Sequence, residues 1–462
     1  MRAAADSNRA LGLIMCTALV VGNTIGVGIF MLPASLAPYG MNAVPAWLIT
    51  SIGSIFIAWV FAGLSRAFPA DDGPYAYTAR AFPDDDGPYA YTSRAFGGAV
   101  AFVLMWCYWV STVVTLPVLA TGAVGYLSSF FPVLALNHGL AAVTALATVW
   151  LFVLVNLLGA RTAGGVQVLT TVVKLVPQAG IILLGVWALF APRAQSLVHV
   201  PPTPTSLSGV IAASTLALYA MLGVESAAMP AGRVRDPGRT IPRATFIGTL
   251  LVALIYICVS LVPMLLIPQG ELAVSNAPFA DLFARYLGPA SGKLLAAFVI
   301  VGALGCLNGW TLVIGELTVS FAKHGGFPRV LGKVNAHGAP LWGLLFTGLL
   351  ASLMLIMNYN DSMAGAFTLL SVVVTATNLP IYFGCAIAVL VLWRRGQIPK
   401  PGPREIRWFV AAILAAIYCV WASIGIGRKP LLQALYVLAP GVLIYAAYWW
   451  HSVRRDVVAA RA

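Results

Sequence analysis

The chain is a succession of about a dozen apolar runs, each roughly 18 to 25 residues long and almost free of charge, the length that carries an α-helix across a hydrocarbon core. They lie near 11–37, 44–65, 98–128, 139–159, 163–191 and 207–229, then near 242–267, 288–320, 340–358, 363–393, 408–427 and 431–451. Sixty per cent of the 462 residues are hydrophobic and 9% are charged, whereas soluble domains run near 25% charged. Most of this surface must face lipid. The predicted fold is therefore all-α, polytopic and membrane-embedded, and an even number of spans puts both termini on one side.

The basic residues test that count independently, because cytoplasmic loops collect Lys and Arg. Of the 27, the side holding the termini carries 21, among them the clusters at 233–243 and 394–407. The opposite side has only Arg193, Arg285, Lys293, Arg428 and Lys429, and Lys174 falls inside a span. Both termini are thus expected in the cytoplasm, in a plasma membrane of the bacterial inner type. This asymmetry also accounts for the net charge of +13 without a nucleic-acid partner, since the basic residues flank spans instead of forming a patch. The first apolar run is too long for a signal-peptide core and has no small-residue cleavage site, so it is expected to stay.

Catalytic and metal chemistry find little footing. Cys16, Cys107, Cys258, Cys306, Cys385 and Cys419 all fall within spans in no paired spacing, which points to helix packing and not to zinc or a redox centre. The five histidines are scattered at span ends or in loops, so no metal or proton-relay cluster is visible. No nucleophile, base and ligand groups converge as an intramembrane enzyme requires. A phosphate-cradling loop ending in Lys and Ser/Thr is also missing, so energy must come from a gradient and no cofactor is expected.

The loop after the second span repeats itself: RAFPADDGPYAYTA at 66–79 is followed by RAFPDDDGPYAYTS at 80–93. Its clustered aspartates would suit a hard cation, but a tandem duplication of a solvated loop costs little closure entropy and is the preferred reading.

Two spans carry interruptions. The first contains GNTIGVGIF at 22–30, with three glycines in seven residues; each costs about 1 kcal/mol relative to alanine inside a helix. Such a cluster marks either close helix packing or an unwound stretch. The sixth span holds LYAMLGVESAA at 218–228, placing Gly223 and the charged Glu225 in an otherwise apolar run. Interruptions at corresponding places in two five-helix halves point to an inverted-repeat transporter with a midplane site. There, amides freed by unwinding suit an anionic carboxylate.

GNTIGVGIF, GPYAY followed by AFG, GVESA continuing into GRVRDPGRTIPRAT, and NGWTLVIGE running on to GGFPRVLGKVNAHGAPLWG keep one order along nearly the whole chain. Together they resemble the amino acid/polyamine/organocation superfamily, and within it the basic amino acid and polyamine antiporters such as the arginine/agmatine exchanger. The resemblance implies one membrane-embedded domain with a LeuT-like fold: a first repeat near 11–191, a second near 207–393 with broken helices 1 and 6, and two further helices near 408–451. It implies a carrier, often dimeric, that works by alternating access on a small amino acid or amine. Only one GPYAY loop is expected in that family, which makes the second copy an insertion.

Carried over residue by residue, the resemblance puts Gly26, Val27 and Gly28 where backbone amides hold the substrate carboxylate. Thr24, Tyr219 and Leu222 match positions whose carbonyls receive the substrate amine, and Trp310 matches a tryptophan that stacks on the substrate side chain, a use of cation-π attraction. Tyr108 and Glu225 match an outer-gate pair. Lys174 stands where sodium sits in sodium-coupled relatives, which implies a sodium-independent and proton-linked carrier. Leu116 replaces an amide that contacts the guanidinium in the arginine/agmatine exchanger, Val27 replaces a serine, and Tyr219 replaces a tryptophan. A smaller cationic amino acid or diamine is therefore the expected substrate. A proton-coupled permease for neutral amino acids is the alternative, and a channel or receptor is more remote because pores are usually lined by polar rings.

Overall fold

The computed structural model describes residues 12–67, 96, 98–158, 173–190, 198–223, 237–323, 327–358, 362–396 and 403–459, and every regular element among them is helical. In chain order these are α1 (Leu13–Thr24), α2 (Gly28–Leu36), a 3-10 turn (Ala37–Asn42), α3 (Ala43–Ala67), α4 (Gly98–Leu127), α5 (His138–Leu157), α6 (Leu175–Phe190) and α7 (Leu207–Met221). There follow α8 (Pro237–Leu266), α9 (Gln269–Val274), α10 (Pro278–Leu287), α11 (Pro289–Lys323), α12 (Leu341–Asn358), α13 (Met363–Arg394), α14 (Pro403–Ile424) and α15 (Arg428–Ala459), with two single turns, Val133–Leu136 and the 3-10 turn Arg329–Gly332, between α4 and α5 and between α11 and α12. Eight stretches among the described residues are long and apolar enough to cross a membrane, and α6 and α7 are shorter apolar helices.

Local chemistry sets several starts. Asn137 accepts from the Leu140 amide at 3.0 Å ahead of α5, Ser206 from Gly209 at 3.1 Å ahead of α7, and Ser362 from Gly365 at 3.1 Å ahead of α13. Each side-chain oxygen satisfies an amide that has no acceptor within its helix.

The first predicted span is two helices. Ile25 adopts extended backbone (φ −72°, ψ 95°) and stops α1, and the chain restarts as α2 at Gly28. The second interruption is built alike: Leu222 is extended (φ −65°, ψ 141°) and ends α7, and Gly223 follows at φ 99°, a left-handed conformation that favours glycine. The continuation after Gly223, with Glu225, lies outside the described residues, as do 68–95, which hold nearly all of the duplicated loop.

Helix α8 packs on α1 and α3, and α7 on α3, while α4 packs on α5, α11, α12 and α13; α13 also touches α3 and α7, and α14 bridges α3 and α13. Small residues allow close approach: a Cβ on Gly248 of α8 would sit 2.7 Å from Val20 of α1, and one on Gly384 of α13 would sit 2.4 Å from Leu104 of α4. Between spans, α9 and α10 fold over one end of the helices, where Gln269 donates to the Ala37 carbonyl at 2.7 Å. Tyr126 joins three elements there. Its hydroxyl donates to the Phe30 carbonyl at 2.7 Å and accepts from the Phe279 amide at 3.3 Å.

Candidate functional site

The two breaks meet. A Cβ on Gly28 would lie 2.9 Å from Tyr219 Cε1 and 3.7 Å from Ala220 Cα, so the first turn of α2 runs directly against the last turn of α7. Tyr219 is held from its other side by Phe367 of α13, edge to face at 5.9 Å.

Around this contact lies a cavity lined by Thr24, Gly26, Gly28, Ser111, Thr115, Leu119, Tyr219, Ala220, Leu222, Trp310, Val374 and Asn378. Six of the predicted substrate-binding residues are therefore brought together: Thr24, Gly26, Gly28, Tyr219, Leu222 and Trp310. Val27 and Leu116 are fully buried but are not among the lining residues. Val27 packs toward α4, where a Cβ on Gly122 would meet its Cγ2 at 3.1 Å. On α4 it is Ser111, Thr115 and Leu119, one helical face, that reach the cavity.

The unwound segment has its freed carbonyls tied to neighbouring helices. The Tyr256 hydroxyl, from α8, donates to the Thr24 carbonyl at 2.9 Å, and the Cys306 thiol, from α11, donates to the Ile25 carbonyl at 3.8 Å. Neither role was visible in the sequence. The first amides of α2 lack intrahelical acceptors by the geometry of any helix start, and the dipole makes that end positive.

None of the described lining residues carries a charge. A zwitterion or cation entering this space would be held by carbonyls, amides, hydroxyls and aromatic faces. Two lining side chains keep buried atoms without a hydrogen-bond partner among the described residues, Thr24 Oγ1 and Asn378 Oδ1. Such groups cost about 1 to 3 kcal/mol when left unmade. Polar residues at i, i+4 spacing within apolar spans, Ser111 with Thr115, were the sequence signal that could have found this wall.

The remaining predicted residues lie elsewhere. Tyr108 is buried on α4, its carbonyl accepting from the Ser111 and Thr112 hydroxyls at 2.8 and 2.9 Å; its predicted gate partner Glu225 is outside the described residues. Lys174 is 2% exposed and packs on α11, where a Cβ on Gly302 would meet its own Cβ at 2.8 Å.

The amino acid permease family matches residues 11–445. The chain is 30% identical over 450 residues to the cadaverine/lysine antiporter of Escherichia coli (strain K12), covering 96% of this chain and 95% of that one. It is 30% identical over 448 residues to the putrescine transporter PotE of the same strain, covering 96% of each. Against the putrescine transporter PotE of Haemophilus influenzae (strain ATCC 51907 / DSM 11121 / KW20 / Rd) it is 29% identical over 441 residues, covering 96% and 97%.

Proposed function

Because the chain belongs to the amino acid permease family, a family of secondary transporters, we propose that it exchanges a cationic amino acid of lysine or ornithine type for the diamine left by its decarboxylation. The observation that carries this reading is the uncharged cavity at the helix breaks, which gathers Thr24, Gly26, Gly28, Tyr219, Leu222 and Trp310 in one place. The full-length similarity to a cadaverine/lysine antiporter and a putrescine transporter supports the substrate class.

In this reading the amides at Gly26, Val27 and Gly28 receive the carboxylate, and the carbonyls of Thr24, Tyr219 and Leu222 take up the α-ammonium. Trp310 stacks on the cationic side chain, an attraction worth about 2 kcal/mol when desolvated. A diamine lacks the carboxylate and keeps the remaining contacts, so both members of the pair use one site. Alternating access then moves α1, α3, α7 and α8 against the helices around α4, opening the cavity to each side in turn. The two five-helix repeats, the α14 and α15 addition, cytoplasmic termini in a bacterial inner membrane, and a homodimer belong to the same proposal. So does a gate formed by Tyr108 and Glu225, and a coupling role for Lys174 in place of sodium.

Ligand-dependent stabilisation tests the substrate class. A solute bound only by the folded carrier at 100 times its Kd adds about 2.7 kcal/mol of apparent stability. Lysine, ornithine and their diamines should therefore raise the melting temperature in detergent well beyond norleucine or leucine. A rise confined to neutral amino acids would favour the neutral permease instead.

A further inference from the structure

Asn378 of α13 is 4% exposed, lines the cavity and donates from Nδ2 to Ser111 Oγ of α4 at 3.1 Å. Which end of an amide faces which neighbour is normally a choice between two similar shapes, but here the protons decide it. Ser111 has one hydroxyl proton. It is directed at the Tyr108 carbonyl, 2.8 Å away, a group that can only accept. The Ser111 oxygen has only lone pairs left to offer Asn378, and the amide nitrogen alone can use them. What remains is Oδ1, buried and without a hydrogen-bond partner among the described residues. Thr115 repeats the pattern one turn on, its hydroxyl proton directed at the Ser111 carbonyl at 2.8 Å, so its oxygen also has only lone pairs to offer. Ser111, Thr115 and Asn378 all line the cavity, so the hydrogen-bonding capacity left over in this wall of α4 and α13 is that of uncharged acceptors.

We propose that Ser111 is a polarity lock for Asn378, holding the amide oxygen as an acceptor for the side-chain ammonium of the transported cation and so setting the preference for cationic over neutral solutes. The proposal rests on the cavity being the transport site. It places the amide on α13, away from the α4 position where Leu116 was expected to matter. With the Ser111 hydroxyl removed, the amide is free to turn its NH2 toward the cavity, where two donors would oppose each other.

The test uses the full chain in proteoliposomes, with lysine and its neutral isostere norleucine measured side by side as substrate or competitor. Ser111→Ala should raise the lysine KM at least about tenfold, the scale of a lost hydrogen bond to a charged group, while norleucine binding stays unchanged and reports a folded carrier. Adding Asn378→Asp should restore lysine, because both carboxylate oxygens accept and orientation no longer matters. A packing role for Ser111 would impair both solutes and would not be rescued. An unchanged lysine-to-norleucine ratio in Ser111→Ala overturns the lock while leaving cation exchange standing. A wild-type protein that takes up norleucine and no cation overturns the lock together with the cationic reading.

Discussion

At Gly28 the next heavier residue would place a methyl group 2.9 Å from an aromatic carbon of Tyr219, and that ring is itself backed by Phe367. Overpacking at such a contact costs about 1 to 3 kcal/mol. Gly28→Ala is expected to displace Tyr219 and lower transport at least about tenfold, while Gly270→Ala, at a position with nothing within 4 Å, leaves it unchanged; parallel uptake assays at matched expression check this. At Trp310 the expected signature is selective. Trp310→Ala should cost cations about 0.5 to 2 kcal/mol more than neutral amino acids, because only a cation is drawn to the ring face. Competition of lysine and norleucine for the same variant reads that difference. Equal losses for both would make Trp310 a shape-filling residue. The glycines and Trp310 were legible in the sequence because an interruption in an apolar run stands out. The spacing of Ser111 and Thr115 could have flagged a polar wall, but the Ser111–Asn378 pairing was not legible, since a hydroxyl or amide inside a span reads the same whether it bonds its own helix or a neighbour.

Among the elements, the spans were the easy part, and α3, α4, α5, α12 and α13 lie within about three residues of the predicted runs, given the usual uncertainty at helix ends. The first span split in two because Ile25 leaves helical backbone, which the glycine cluster marked without fixing its place. What went unread was the segment α9 and α10 between spans, too short for a span and defined by contacts to distant residues. Gln269 reaching Ala37 and Phe279 bonded to Tyr126 have no local signature. Within that segment Asp281 accepts from the Ser275 hydroxyl at 2.5 Å. Burial holds its carboxyl above the ordinary range; Ser275 and Arg285 pull it back down and Glu271 adds to the rise. A raised acid favours the folded state when protonated, so its contribution is full below the unfolded value and fades as pH rises through the folded one. Asp281→Asn should therefore flatten the pH dependence of the melting temperature, matching wild type near pH 4 and equalling or exceeding it at pH 7. A variant less stable only at pH 7 would show that the charged form is the favoured one.

For the whole molecule, the apolar spans were enough to predict a helical membrane protein, because in lipid the backbone is restricted to a few solutions, and the resemblance of the ordered motifs placed the chain in its family. Which spans pair with which was not legible, since pairing depends on which small residues face which neighbour, as Gly248 faces Val20 and Gly384 faces Leu104. The 14-residue repeat at 80–93 belongs to this scale too, since the resemblance leads one to expect a single copy of the loop. Its deletion is expected to leave uptake within about twofold of wild type, as surface loops tolerate length changes at small entropic cost. Loss of transport on deletion, with a response to calcium, would instead make the aspartates an ion site. Exchange across one alternating cavity makes the sharpest demand on the molecule. Proteoliposomes loaded with cadaverine or putrescine and diluted into labelled lysine or ornithine should take up label rapidly and transiently, without sodium, and far faster than empty vesicles. Uptake indifferent to the internal diamine, or dependent on sodium, would contradict an exchanger built on this site.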